Sequence, residues 1–142
     1  YSDSSRANYV SGFGQVDLGG ISATNGSNLT ITGVHNISAE ADGSTSPVAV
    51  GATVSKTGRT TGTSTGRVTN TCVNTGVQGS RLMQLCQTFV SAAVGQGDSG
   101  SPVYTGSGNV TLVGILWGGS GSTFVFSPLR SIKNELGSFT AR

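Results

Sequence analysis

Gly95-Gln-Gly-Asp-Ser-Gly-Ser-Pro102 is the stretch on which the reading of this chain turns. Its glycines at 95, 97 and 100 permit a tight backbone path on both sides of one hydroxyl, that of Ser99. Such a path exposes the Oγ atom and turns amide hydrogens inward. Acyl transfer needs a nucleophile beside donors aimed where negative charge develops on a carbonyl oxygen, and the amides of Gly97 and Ser99 could form that pair. Losing one such donor typically costs roughly 2.7 to 4 kcal/mol of transition-state stabilisation. The same letters are also common turn formers, and in a chain with 23 glycines an ordinary β-turn accounts for them without any chemistry.

The flanking composition narrows the choice. A chain of 142 residues suits one domain that can bury a core without metals or several disulfides. Only 10% of residues are charged, and Ser, Thr, Asn and Gly fill much of the rest. That polar but barely ionic balance fits an extracellular β-protein better than a cytosolic helical one. The net charge of +2 comes from eight scattered Lys and Arg against six acids, without the basic cluster that phosphate binding needs, which argues against nucleic acid as a partner. No apolar run approaches the roughly 20 residues of a membrane span, so no membrane partner is expected. Tyr1 opens neither a signal peptide nor a Met-initiated chain, and the start reads as a cut in a longer polypeptide.

Sequons at Asn25, Asn28, Asn36 and Asn109 are compatible with a secreted glycoprotein. Closing the short loop between Cys72 and Cys86 as a disulfide would be worth roughly 3 kcal/mol in the chain-entropy model, and the bridge is expected. No Cys-His cluster, phosphate-cradling Gly-Lys-Ser/Thr sequence or close pair of acids is present, so neither metal nor cofactor is expected.

Along the chain, residues 1–46 are rich in Gly, Ser and Asn with brief apolar alternation such as Asn28-Leu-Thr-Ile-Thr-Gly-Val34. They predict an extended connector with up to two strands. From Pro47 short β-prone runs take over: Val48–Val54, Gly66–Thr69, Arg81–Leu85, Thr88–Val90, Val110–Trp117 and Thr123–Phe126. Such spacing predicts an all-β barrel or sandwich over residues 47–142. One helix is expected last, with Ser127 capping its first turn and Pro128 in its first position. Leu129, Ile132 and Leu136 share one of its faces before Gly137.

Gly97-Asp-Ser-Gly-Ser-Pro102 resembles the nucleophile motif of the chymotrypsin-fold, trypsin-like serine proteases, and in particular their streptogrisin and α-lytic bacterial branch. Upstream, Lys56-Thr-Gly-Arg-Thr-Thr-Gly62 and Gly66-Arg-Val68 resemble the strand and turn that open the second barrel. Downstream, Gly118-Gly-Ser-Gly121 and Thr123-Phe-Val-Phe-Ser-Pro128 resemble the substrate wall and final strand. The likeness runs from about Val50 to Leu136. It implies the second six-stranded antiparallel barrel of a chymotrypsin-like double β-barrel, with an extended connector before it and a short helix after it. The implied activity is that of a serine endopeptidase working on peptide or protein substrates through an acyl-enzyme on Ser99.

The resemblance also implies roles for individual residues. Asp98 would be buried, shaping the oxyanion loop through an ion pair, because an unpaired buried carboxylate is costly. The bacterial branch supplies an internal Arg as partner, and Lys56 falls at that place with Arg59 nearby. Extended substrate would run alongside Leu116-Trp-Gly118, with Ala93, Val94, Gly95 and Gln96 facing Trp117, Gly118 and Gly119 across the first specificity pocket. Ala93 and Val94 fall at the pocket floor, where no acid appears, so small or apolar side chains are expected before the cut. Two departures stand out: Ser101 replaces a second Gly, and Leu116 occupies the place of a small hydroxyl residue that supports the triad's acid.

A serine hydroxyl is a weak nucleophile until a base takes its proton, and the family's base is a His oriented by an Asp. The single histidine, His35, sits in Thr32-Gly-Val-His-Asn-Ile-Ser38, outside the family's catalytic context, and is expected to be an ordinary surface residue. Tyr1-Ser-Asp-Ser-Ser5 resembles the stretch just after the catalytic Asp, so Asp3 and Asp17 are poor candidates. The expected partner is therefore an N-terminal half carrying both His and Asp. An inactive pseudo-protease or peptide-binding module is the alternative. A structural or adhesive β-domain is a further one.

Overall fold

The computed structural model describes residues 20–24 and 30–141. Asp3, Asp17, Asn25 and Asn28 lie outside the described residues. A hairpin of β1 (Gly20–Thr24) and β2 (Ile31–Glu40) comes first. Six strands follow: β3 (Thr53–Gly58), β4 (Gly62–Gly76), β5 (Met83–Ser91), β6 (Pro102–Ser107), β7 (Asn109–Ser120) and β8 (Thr123–Pro128). Helix α1 (Leu129–Leu136) ends the fold.

Antiparallel pairing runs β3–β4–β5–β8–β7–β6 and back to β3, closing a six-stranded barrel. The inward positions of each strand recur with the period of two that a pleated strand imposes. Val54, Val68, Val90, Val103, Val113, Leu116, Phe124 and Phe126 meet there as one core. Burying a side chain of this kind stabilises the fold by about 1.5 to 3 kcal/mol over leaving it exposed.

Strand β7 changes neighbours along its length. Residues 109–112 lie between β6 and β2, which runs parallel to β7, whereas Gly114 to Ser120 pair with β8. The β1–β2 hairpin and α1 thereby cover the outer face of β6 and β7. Ile21, Tyr104, Val110, Leu112 and Leu129 form a second core there, with Ile37, Phe139 and Ala141 against it. Lys133 Nζ ties the helix to the end of β2, 2.6 Å from both Glu40 and Asp42.

Two local expectations are corrected by the structure, and one strand was not expected. The segment Val48–Val54 is not one strand: Gly51 takes φ +87°, the chain turns there, and β3 begins only at Thr53. Pro102-Val-Tyr-Thr-Gly-Ser107 forms β6, a strand that its Pro, Gly and Ser disguise. Ser127 does not cap α1; its Oγ donates to Gln87 Oε1 at 2.8 Å, and the helix starts after Pro128.

Cys72 and Cys86 form a disulfide between β4 and β5. Both cysteines hold left-handed backbone angles, φ 53° and 55°, where the β4–β5 register slips. Non-glycine residues rarely adopt this conformation.

Candidate active site

The loop of residues 92–101 joins β5 to β6 and carries the Ser99 motif. Gly97 and Gly100 take φ +94° and +88°, so the chain reverses on each side of the serine. A side chain at 97 would be strained by that angle, and its Cβ would meet Thr60 Oγ1 at 2.7 Å. Within the loop the Asp98 amide donates to the Gly95 carbonyl and the Ser101 amide to the Asp98 carbonyl, each at 3.1 Å. Ser101, at the position expected for a second Gly, is buried and donates its hydroxyl to the same Asp98 carbonyl.

Two bonds lace the loop to β7: Gly100 N to Leu116 O at 2.7 Å and Leu116 N to Ser101 O at 2.9 Å. The result is an exposed Ser99 whose Oγ donates to the Trp117 carbonyl at 3.1 Å. Among the described residues, the amides of Gly97 and Ser99 donate to no protein acceptor. Both amides are therefore free to donate to a ligand, the first condition for oxyanion binding.

Beneath the loop, Asp98 is fully buried and accepts five hydrogen bonds. Oδ2 receives Lys56 Nζ at 2.8 Å, Thr61 Oγ1 at 2.6 Å and Gly95 N at 3.0 Å. Oδ1 receives Thr60 N at 2.8 Å and Thr61 N at 3.1 Å. Lys56 is equally buried, and its ammonium also donates to Thr61 Oγ1 and, at 3.1 Å, to Gly62 O. Burial by itself pushes the Asp98 carboxyl up, but the donors from Lys56, Thr61 and the Gly95 amide outweigh it and hold the group well below the usual carboxylate range. Gly58 lets the carboxylate come this close, since a Cβ there would collide with Asp98 Oδ1.

Arg59 is exposed and does not bond Asp98; among the described residues Lys56 alone supplies the buried cation. The Arg59 guanidinium instead lies over Gly97, 3.4 Å from where a Cβ would stand.

The segments expected to wall a pocket are brought together. Val94 N donates to Gly121 O at 3.0 Å, and a Cβ on Gly119 would meet Val94 Cγ1 at 2.8 Å. Ala93 and Gln96 are exposed, with carbonyls held by Ser64 Oγ at 2.7 Å and Thr60 Oγ1 at 2.5 Å. Gly95 and Gly118 are half-buried between these walls.

Leu116 departs from its expected place. Its side chain is 1% exposed inside the barrel core, and its backbone groups are both bonded to the loop, so it faces no cleft. The residue beside Ser99 is Trp117, one position later. It sits in a β-bulge: Leu116 pairs with Phe126 and Gly118 with Val125, leaving Trp117 without a β8 partner. Its indole Nε1 donates to Gln87 Oε1 at 2.7 Å.

His35 belongs to the opposite end of β6. Its Nδ1 accepts from the Gly108 amide at 3.1 Å, in the turn between β6 and β7, and its ring lies 5.4 Å from that of Tyr104. Since β6 spans six residues from the Ser99 side to that turn, the separation is roughly 20 Å and the imidazole cannot serve Ser99.

Thr60, Thr61, Ser64 and Gln87 are site residues that sequence reasoning did not single out. Thr60 and Thr61 lie within Lys56–Gly62, whose resemblance to a strand and turn assigned them no role. Gln87 carried no signal, because a polar residue next to Thr88 in a strand reads as facing solvent.

No family model matches the chain, and no curated protein matches it. Solved structures do. A glutamic-acid-specific serine protease aligns at TM-score 0.66 and 21% identity, over 89% of this chain and 61% of that one. The protease of Nocardiopsis aligns at TM-score 0.64 and 21% identity, over 82% and 57%. Protease A of Thermobifida fusca aligns at 0.63 and 20%, over 82% and 57%. The fold is that of the bacterial chymotrypsin-like serine proteases, in the portion forming their C-terminal barrel. The chain spans about three-fifths of the length of these solved proteins.

Proposed function

We propose that this chain is the nucleophile-bearing barrel of a secreted serine endopeptidase whose general base and orienting acid lie in an N-terminal half. The observation that carries the reading is the Ser99 loop, where an exposed hydroxyl stands between unengaged amides of Gly97 and Ser99. Below it Lys56 and Asp98 fix the backbone without exposing a charge.

In the proposed reaction Ser99 Oγ attacks the scissile carbonyl carbon as its proton passes to the base. The oxyanion is held by the two amides, and collapse expels the amine, which takes the proton. Water then cleaves the acyl ester on Ser99 and restores the hydroxyl. Val94 and Gly119 lie against each other where the specificity pocket is expected and neither carries charge, which supports small or apolar side chains before the cut.

Intact mass spectrometry under denaturing conditions, before and after a fluorophosphonate, tests this. A single adduct on this chain together with a second polypeptide, lost in Ser99→Ala, is the expected result.

A pseudo-protease or peptide-binding role is the second reading. It is favoured by the Ser99 hydroxyl resting on a carbonyl, with no titratable side chain bonded to it among the described residues. Absence of labelling with the second polypeptide present would select it.

A further inference from the structure

Trp117 is the only tryptophan of the chain, and it is gripped from behind. Gln87, on β5, has no solvent exposure. An indole N–H can only donate, so the side-chain oxygen of Gln87 must be the atom facing Trp117. That oxygen accepts from Trp117 Nε1 at 2.7 Å and from Ser127 Oγ at 2.8 Å. The amide nitrogen donates to Leu85 O at 2.7 Å, so the carboxamide is held at both ends.

These bonds join three strands in a row, β5, β8 and β7, behind the bulge at Trp117. A bulged residue has lost its ladder partner and needs some other restraint to keep one orientation. On the front of the same residue, the carbonyl receives the Ser99 hydroxyl.

We propose that Gln87 is a positioning residue: its carboxamide latches the Trp117 indole and so holds the bulge as a rigid edge for substrate beside Ser99. The functional part rests on the protease reading; the latch itself does not. Gln87 touches neither Ser99 nor the cleft, and it acts through Trp117.

The test uses the intact chain and the emission of Trp117. In Gln87→Met, of similar size but with only a weak thioether acceptor, emission should move to longer wavelength and become more open to acrylamide quenching. Affinity for the probe acetyl-Ala-Ala-Pro-Ala-amide, followed by that emission, should fall about tenfold, the loss expected for one misplaced hydrogen-bonding edge.

Unchanged emission overturns the latch. Shifted emission with unchanged peptide affinity overturns the positioning role. If wild-type chain binds no peptide, the protease reading of the cleft fails, and the emission alone decides the latch.

Should Gln87→Met not fold, the wild-type chain decides: an indole N–H held by Gln87 Oε1 should exchange slowly with solvent in NMR, and exchange as fast as that of a free indole would overturn the latch.

Discussion

The ammonium of Lys56 lies 2.8 Å from the carboxylate of Asp98, with both side chains fully shut off from solvent. A buried pair of this kind gains little over an apolar replacement of the same shape, but removing one partner strands the other charge. Lys56→Met is therefore expected to lower the unfolding free energy by about 3 to 5 kcal/mol. Lys56→Met combined with Asp98→Leu should cost less than the sum of the two single losses, since Asp98→Leu also strands the donors of Thr60, Thr61 and Gly95. Urea denaturation followed by circular dichroism measures these losses, and additive losses would refute the coupling.

Acid should release the same support. The folded carboxyl of Asp98 titrates below the usual range, whereas in the unfolded chain it titrates at about 3.9. Its contribution is therefore complete above that unfolded value and is lost as pH falls through it toward the folded one. Melting temperature should drop steeply below about pH 4 in the wild type. Asp98→Asn should show a lower plateau and a shallower acid limb.

Gly97→Ala should be more damaging than its one added methyl suggests. The residue holds φ +94°, and the new Cβ would stand 2.7 Å from Thr60 Oγ1. Strain of this type costs about 1 to 3 kcal/mol. Rotation of the 97 amide relieves the backbone strain, so labelling of Ser99 by a fluorophosphonate should slow more than melting temperature falls. Equal labelling rates would show that this amide takes no part.

Replacing Cys72 and Cys86 together with Ser frees a cross-link between residues 14 apart. The chain-entropy model puts the loss at about 3 kcal/mol. Relief of the left-handed angles at both positions offsets part of it, so chemical denaturation should show a smaller decrease. A loss above that figure would mean that the bulged geometry itself supports β4 and β5.

Much of this was legible in the sequence because its signals are local. The glycines around Ser99 announced a reversed backbone, and the β-prone run Thr123-Phe-Val-Phe126 announced β8. What escaped depended on distance in the chain. Gln87 looks like a surface residue until Trp117 and Ser127 arrive from two other strands, 30 and 40 positions away. Pro102–Ser107 has weak strand character and is made a strand by its neighbours β3 and β7. The shift from Leu116 to Trp117 arises from a bulge, and one extra residue in a ladder moves every later side chain to the other face.

The change of neighbours along β7 gives the hairpin before the barrel a further meaning. Where β8 leaves off, residues 109–112 would otherwise present a bare row of amides and carbonyls next to buried Val110 and Leu112. Such rims recruit strands from other molecules. By lying parallel against this one, β2 works as a built-in stopper against self-association. Trimming the chain to its barrel would expose a sticky seam at the end of β7, on the side of the molecule away from Ser99.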